Sequence, residues 1–418
     1  MTAPSNPKMM SLIIVPSIAG SISSFASIAL IVSILRSTQK LSTVYRRLIF
    51  SLSVFDILQS ICQVLSTAPM PAGTIWGAVG NELTCGMRGF IATLGLSGAV
   101  LYSLSLTVYF LLVVKYNMSE AKIKKRAEPF LHGVPFVYSL AISTYIYAVG
   151  NYNSLGTTCW IASKPLNCEN DPDVECLSSG NSTALRWIAS GGPLLGVFIA
   201  NCTILAAIWW TYRSQARKNQ GYGNLLAQPP NTPRTQASQV NEEQPQAQSA
   251  EGSRCRLWFL KQCPIIRNRF DSRISSDRRP SILADYLSRP SPASVRRLED
   301  ITNRATAYVI GYLLCFTFSL IFQIYGSDPA PFPIILLARL SFPLQGFFNV
   351  LIYTYPHVVS YRRNRTECNW FKAFWEVIKT GGDSDQSRIN RRGNRRQSLR
   401  QRQRVLAQSG LRRNNEQV

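Results

Sequence analysis

A single acidic residue, Asp56, stands in an otherwise uncharged run, Leu48-Ile49-Phe50-Ser51-Leu52-Ser53-Val54-Phe55-Asp56-Ile57-Leu58. An ionisable group in such a setting is costly, so it must face other polar groups and is read as functional. Asn349 and Tyr353 are its expected partners, and their i, i+4 spacing puts both on one helix face. Such a cluster can have two hydrogen-bonding arrangements, which is the chemistry of a switch rather than of bond breaking. The plainer alternative is a static structural carboxyl. A nucleophile is poorly provided for. Ser97, in Gly95-Leu96-Ser97-Gly98, would need a base within hydrogen-bond reach. The two histidines, His132 and His357, fall at segment ends instead, and small residues that ease helix packing account for this stretch. No Gly-Lys-Ser/Thr loop and no zinc-ligand spacing occurs. No catalytic residue, metal site or cofactor is therefore assigned.

Two arginines, Arg88 and Arg186, also sit at the outer ends of apolar segments, and a third, Arg339, lies within the outer third of the last one. Snorkelling of their long stems accounts for each alone. Together they would form a positive rim attractive to an anionic ligand.

These residues need elements to hold them, and the composition says which. The chain has 418 residues, 46% of them hydrophobic and only 16% charged, yet its formal net charge is +23. Long charge-free segments must alternate with very polar ones, which excludes both a single soluble core and a disordered chain. Seven runs have the length of about 20 residues that a helix needs to cross a bilayer. They are Ser11–Leu35, Leu48–Leu65, Gly89–Val114, Phe130–Gly150, Trp187–Tyr212, Ala305–Ser327 and Pro331–Tyr355. The first is read as a retained helix rather than a cleaved signal peptide.

Of the 45 basic residues, 40 lie between runs 1 and 2, 3 and 4, and 5 and 6, or after run 7. Positive residues stay on the cytoplasmic side, which places the amino terminus outside and the basic tail inside. The expected fold is an all-α seven-transmembrane helix bundle in that orientation. Residues 1–10 form a short extracellular amino terminus, 11–212 carry helices 1–5 and 305–355 carry helices 6 and 7. Residues 213–304 form a long, basic, largely disordered third cytoplasmic loop. Residues 356–380 form a juxtamembrane amphipathic helix, and 381–418 a disordered basic tail. Charge that borders a membrane argues against a nucleic-acid partner and for anionic inner-leaflet lipid.

Four of the ten cysteines, Cys85, Cys159, Cys168 and Cys176, fall on the outer side, and three pairings are open to them. The favoured one joins Cys85 to Cys159, tying the top of helix 3 to the loop after helix 4, and leaves Cys168 with Cys176. Asn181, in Asn181-Ser182-Thr183, is the one glycosylation sequon that faces outward. Glu169, Asp171, Asp173 and Glu175 lack the spacing and glycine of a calcium loop and read as a solvated acidic loop. On the inner side, Arg254-Cys255-Arg256-Leu257-Trp258-Phe259-Leu260-Lys261 suits a bilayer interface. Ser281 and Ser398 follow Arg-Arg-x and suit basophilic kinases. Trp370, Phe374 and Val377 share one helical face, and Cys368 just before them is a lipidation candidate.

With seven helices and these residues, the chain resembles a G-protein-coupled receptor. Leu52-Ser53-Val54-Phe55-Asp56 is similar to the helix 2 aspartate motif of rhodopsin-like receptors. Cys85 and Cys159 match the family disulfide, and Trp76 the first outer-loop tryptophan. Asn349-Val350-Leu351-Ile352-Tyr353 resembles the helix 7 Asn-Pro-x-x-Tyr motif with its proline replaced. Cys159-Trp160-Ile161, Tyr109-Phe110-Leu111-Leu112 and Pro343-Leu344-Gln345-Gly346-Phe347-Phe348-Asn349 look more like cyclic-AMP-receptor and secretin-type groups, a combination similar to protist receptors. Helix 3 departs from the pattern by lacking Asp/Glu-Arg-Tyr, and helix 6 by lacking a proline. The resemblance covers the helices, not the long loop or tail. It implies an extracellular ligand bound among the outer halves of helices 3, 5, 6 and 7. It also implies a heterotrimeric G protein on the inner face, with Arg46, Arg47, Lys122, Lys124 and Lys125 as contacts, and a plasma-membrane location.

The main rival is a multi-span transporter, which should show internal repeats, broken helices or chains of intramembrane charge. No repeat is visible. A retinal-binding pump would need a lysine in the seventh run, and there is none.

Overall fold

The computed structural model describes residues 7–165, 168, 173–177, 181–226, 292–325, 330–363, 365 and 368–381, without the side chains of 218–226 and 292–297. Ser281, Ser398, Glu169, Asp171 and the stretch 254–261 lie outside the described residues.

Helix takes up 79% of the described residues, and their one sheet is a two-stranded hairpin. The fold is all-α. In chain order the helices are α1 (Pro7–Arg36), α2 (Val44–Leu65), α3 (Glu82–Val114), α4 (Glu120–Arg126) and α5 (Glu128–Ala148). The hairpin β1 (Tyr152–Ser154) and β2 (Cys159–Ile161) follows, then α6 (Ser182–Arg186) and α7 (Gly192–Leu226), joined by a π-helical turn at Trp187–Gly191. The remaining helices are α8 (Pro292–Tyr325), α9 (Phe332–Ser341), α10 (Gln345–Arg363) and α11 (Trp370–Thr380).

Six helical stretches are long and apolar enough to cross a membrane: Pro7–Arg36, Val44–Leu65, Glu82–Val114, Ser182–Arg217, Leu298–Tyr325 and Phe332–Arg363. The chain is therefore an integral membrane protein in character. The fourth expected span is α5, whose 21 residues would reach about 30 Å at 1.5 Å per residue. It falls outside the six because His132, with the tyrosines and serines Tyr138, Ser139, Ser143, Tyr145 and Tyr147, dilutes its apolar residues.

Local sequence explains where several helices begin. Thr43 Oγ1 accepts the Arg46 N–H to cap α2, and Asn81 with Thr84 forms a reciprocal capping box on α3. Glu120 on α4 adds a second cap, its Oε1 accepting the Val44 N–H at 2.6 Å. Other boundaries differ from those expected. Helix α7 continues to Leu226 and α8 starts at Pro292, so both ends of the long loop are helical. Pro292 suits a first turn, which has no use for its missing N–H. Pro356 does not end α10, which runs on to Arg363, and the amphipathic helix is α11 alone.

The helices bury two kinds of surface. Large apolar residues such as Phe25, Phe130, Val137 and Trp210 face outward, as lipid-facing residues would. Inward, α1, α2 and α3 meet through small residues. A Cβ placed on Gly95 would lie 2.6 Å from the Gln59 backbone nitrogen of α2. Gly98 meets the Phe55 ring, and Gly346 meets Ser23 and Ser27 of α1. Backbones that approach this closely gain packing that lipid tails cannot replace. Gly95→Ala is therefore expected to lower stability by about 1–3 kcal/mol through overpacking. Gly133→Ala, with nothing within 4 Å, should leave the thermal midpoint unchanged or raise it. Thermal unfolding of both variants in one detergent checks the contrast.

Candidate functional site

Three hydrogen bonds tie α10 to α1, α2 and α3. Asn349 Nδ2 donates to Asp56 Oδ2 at 2.7 Å, joining α10 to α2. Both residues are buried, at 6% and 2% exposure. One turn earlier on α10, Gln345 Nε2 donates to Ser103 Oγ of α3 at 2.9 Å, and the Gly346 N–H donates to Ser23 Oγ of α1 at 3.1 Å. The 3₁₀ turn Phe342–Leu344, with Pro343 in it, separates α9 from α10. Within α10, Gln345, Asn349 and Tyr353, spaced at i, i+4 and i+8, share one buried face.

A small cavity beside this network is lined by Ser103, Thr107, Asn201, Tyr308, Gln345 and Asn349 among others, with room for about one water. Asn201 of α7 is 1% exposed, and neither of its amide atoms has a hydrogen-bond partner in the described structure. A bridging water would satisfy it.

Tyr353 does not join Asp56 directly. Its ring stacks on Tyr45 of α2 at 6.4 Å, within a cluster that also holds Tyr109, Phe110 and Tyr308. The hydroxyls of Tyr45 and Tyr308 lie 3.1 Å apart and latch α2 to α8. The Tyr109 hydroxyl donates to Glu120 Oε2 at 3.1 Å, so the carboxylate that caps α2 also holds α3. Nothing in this cluster needs the Asp/Glu-Arg-Tyr triplet that helix 3 lacks.

The basic end of the molecule divides the five expected contacts into two groups. Arg46 is 9% exposed and donates to Ser37 Oγ at 2.5 Å and to the Lys40 carbonyl at 3.4 Å. Arg47 forms a two-pronged ion pair with Glu128 and also donates to the Leu41 carbonyl at 2.6 Å. Both arginines thus brace the turn before α2. Lys122, Lys124 and Lys125 are exposed on α4, around the fully buried Ile123. At α11, Ala373, Val377 and Ile378 pack inward while Phe371 and Trp375 face out, and Cys368 is half-buried with an unoxidised thiol.

At the opposite end both disulfides form, Cys85 with Cys159 and Cys168 with Cys176. The hairpin between β1 and β2 lies against α3 and is held strand by strand. Arg88 NH1 donates to the Cys159 carbonyl at 2.6 Å, and its NH2 to the Cys62 carbonyl at 2.9 Å. Arg186 Nε donates to the Ile161 carbonyl at 2.9 Å, and Trp160 Nε1 to Thr93 Oγ1 at 3.2 Å. Two of the three rim arginines therefore clamp the hairpin. Arg339 is half-buried and has no hydrogen bond or ion pair among the described residues. Burial pushes the Tyr152 phenol up to about 12, so it stays protonated and donates to the Ser143 carbonyl at 3.3 Å. Asn181 is exposed and caps α6, its Oδ1 accepting the Ala184 N–H at 2.8 Å. A glycan would attach at its other terminal atom, Nδ2.

Several site residues escaped the sequence reading. Gln345 carried a signal, because it lies four residues before Asn349 and on the same face. Glu128 did too, as the first carboxylate after a basic run. Asn201 and Tyr308 carried none, because one Asn or Tyr in an apolar helix looks the same whether it faces lipid or a cavity, and Tyr45 lay before the second apolar run, beside Arg46 and Arg47. A scan against models of known protein families and a search of curated proteins return no match for this chain.

Proposed function

We propose that the chain is a seven-helix membrane receptor that passes an extracellular ligand signal to a heterotrimeric G protein. In this reading α5 is the fourth span, the hairpin end faces outward and the basic end faces the cytosol of the plasma membrane. The observation that supports it most is the buried Asn349–Asp56 hydrogen bond between α10 and α2. A signal carried through packed helices needs a discrete contact that can be exchanged. This one sits beside a small cavity with several polar groups on its wall, among them an unsatisfied Asn201. Below it, the Tyr45–Tyr308 contact is the latch that must open between α2 and α8. A ligand drives that opening only by its difference in affinity for the two arrangements.

The test is nucleotide exchange on a panel of heterotrimeric G proteins, using the full chain in proteoliposomes. At least one G protein is expected to exchange several-fold faster than with empty liposomes when ligand pools are added. Tyr45→Phe, which removes the latch hydroxyl, should raise the ligand-free rate. Silence across the panel together with solute accumulation in the vesicles would replace this reading with a transporter.

A further inference from the structure

We propose that Arg339 anchors an anion-binding site inside the hairpin end of the molecule, and that its ligand carries a carboxylate or phosphate group. The direction of the side chain is set by its helix. Phe342 and Pro343, three and four residues on, share its face. Pro343 is buried, and the Phe342 ring packs edge-on against Phe316 of α8 at 5.7 Å. Arg339 therefore points among the helices and not at lipid. Arg88 of α3 is a second cation within electrostatic range of it.

Both cations lose hydration, and their like charges add to that cost. A carboxylate would ordinarily offset this, yet none pairs with Arg339 among the described residues. At this end, Glu82 is taken by Lys164 at 2.6 Å, while Asp173 and Glu175 belong to the loop between β2 and α6. Arg88 itself is not the docking group, since its two terminal nitrogens are spent on the Cys159 and Cys62 carbonyls. It supplies field. Arg339 has its whole guanidinium fork to offer, and that fork matches the paired oxygens of a carboxylate or phosphate. Such an anion removes the repulsion and completes the hydrogen bonding in one step.

Two sources present this chemistry, a soluble ligand and the headgroup of an anionic lipid. The experiment separates them, using the full chain in nanodiscs of phosphatidylcholine alone or with phosphatidylglycerol. Thermal midpoints are followed as sodium phosphate or sodium acetate replaces sodium chloride at constant ionic strength. A midpoint that rises with phosphate or acetate in pure phosphatidylcholine supports a soluble ligand. One that rises only with phosphatidylglycerol supports a headgroup. In either case Arg339→Gln should abolish the rise, and Arg339→Lys should weaken the apparent affinity about tenfold, because a point charge replaces the fork. Arg186→Gln, which loosens the hairpin, should keep it. If Arg339→Gln does not fold, the lysine variant against the native chain still decides. A rise that is equal in the native, lysine and glutamine chains, or no rise with any anion, overturns the site. The inference rests on the receptor reading only in treating the anion as a signal. No G protein enters the measurement, so either idea fails without the other.

Discussion

Replacing both Cys85 and Cys159 with serine is expected to cost about 4 kcal/mol of stability. The bond closes a loop of 74 residues in sequence separation, and removing it releases that loop-closure entropy into the unfolded chain. The bilayer already confines the unfolded helices, so this figure is the upper end of the expected loss. Replacing Cys168 and Cys176, only 8 residues apart, should cost less, about 2.5 kcal/mol by the same relation. The difference matters for function, because Cys159 is also where Arg88 grips β2. Without the disulfide the hairpin depends on four hydrogen-bonding side chains, Arg88, Arg186, Trp160 and Tyr152. Denaturant unfolding in detergent micelles gives both numbers. A Cys85–Cys159 variant as stable as the native chain would show that the hairpin is not held by its cross-link.

Asn349→Ala is expected to destabilise the chain by about 1–3 kcal/mol, because it leaves the Asp56 carboxyl buried without its donor. Asp56→Ala should cost a comparable amount. The double variant should cost clearly less than the sum of the two, since removing both partners leaves no orphaned acceptor. A coupling energy of about 1 kcal/mol or more in that cycle identifies the pair as one unit. Additive losses would mean that the two side chains act separately, and the exchangeable contact would lose its basis. Under the receptor reading the same variants should also change the ligand-free rate of G-protein exchange. A bundle with a weakened central contact spends more time in its alternative arrangement.

The elements were largely legible from the sequence, and the physical reason is the solvent. A helix crossing a bilayer must satisfy every backbone group internally and present apolar residues all round, so length and charge exclusion alone reveal it. That logic located α1, α2, α3, α7, α8 and the α9–α10 pair, and it marked Asp56 as a group in need of a partner. It served α5 less well, because tyrosine and serine can be buried against neighbouring helices as readily as apolar residues can face lipid. The i, i+4 spacing also brought Asn349 to the right face.

What the tertiary structure alone decided is which polar groups meet. Asp56 found Asn349, while Tyr353, on the same face, turned to the aromatic cluster of Tyr45 and Tyr308. Arg88 and Arg186, read as a rim for ligand, turned out to hold two carbonyls of one strand, and only Arg339 kept its fork uncommitted. Periodicity tells which side of a helix is buried. It cannot tell what lies opposite, because that depends on the rotation and depth of a second helix far away in the chain, set by close approaches such as Gly95 on Gln59 and Gly346 on Ser23.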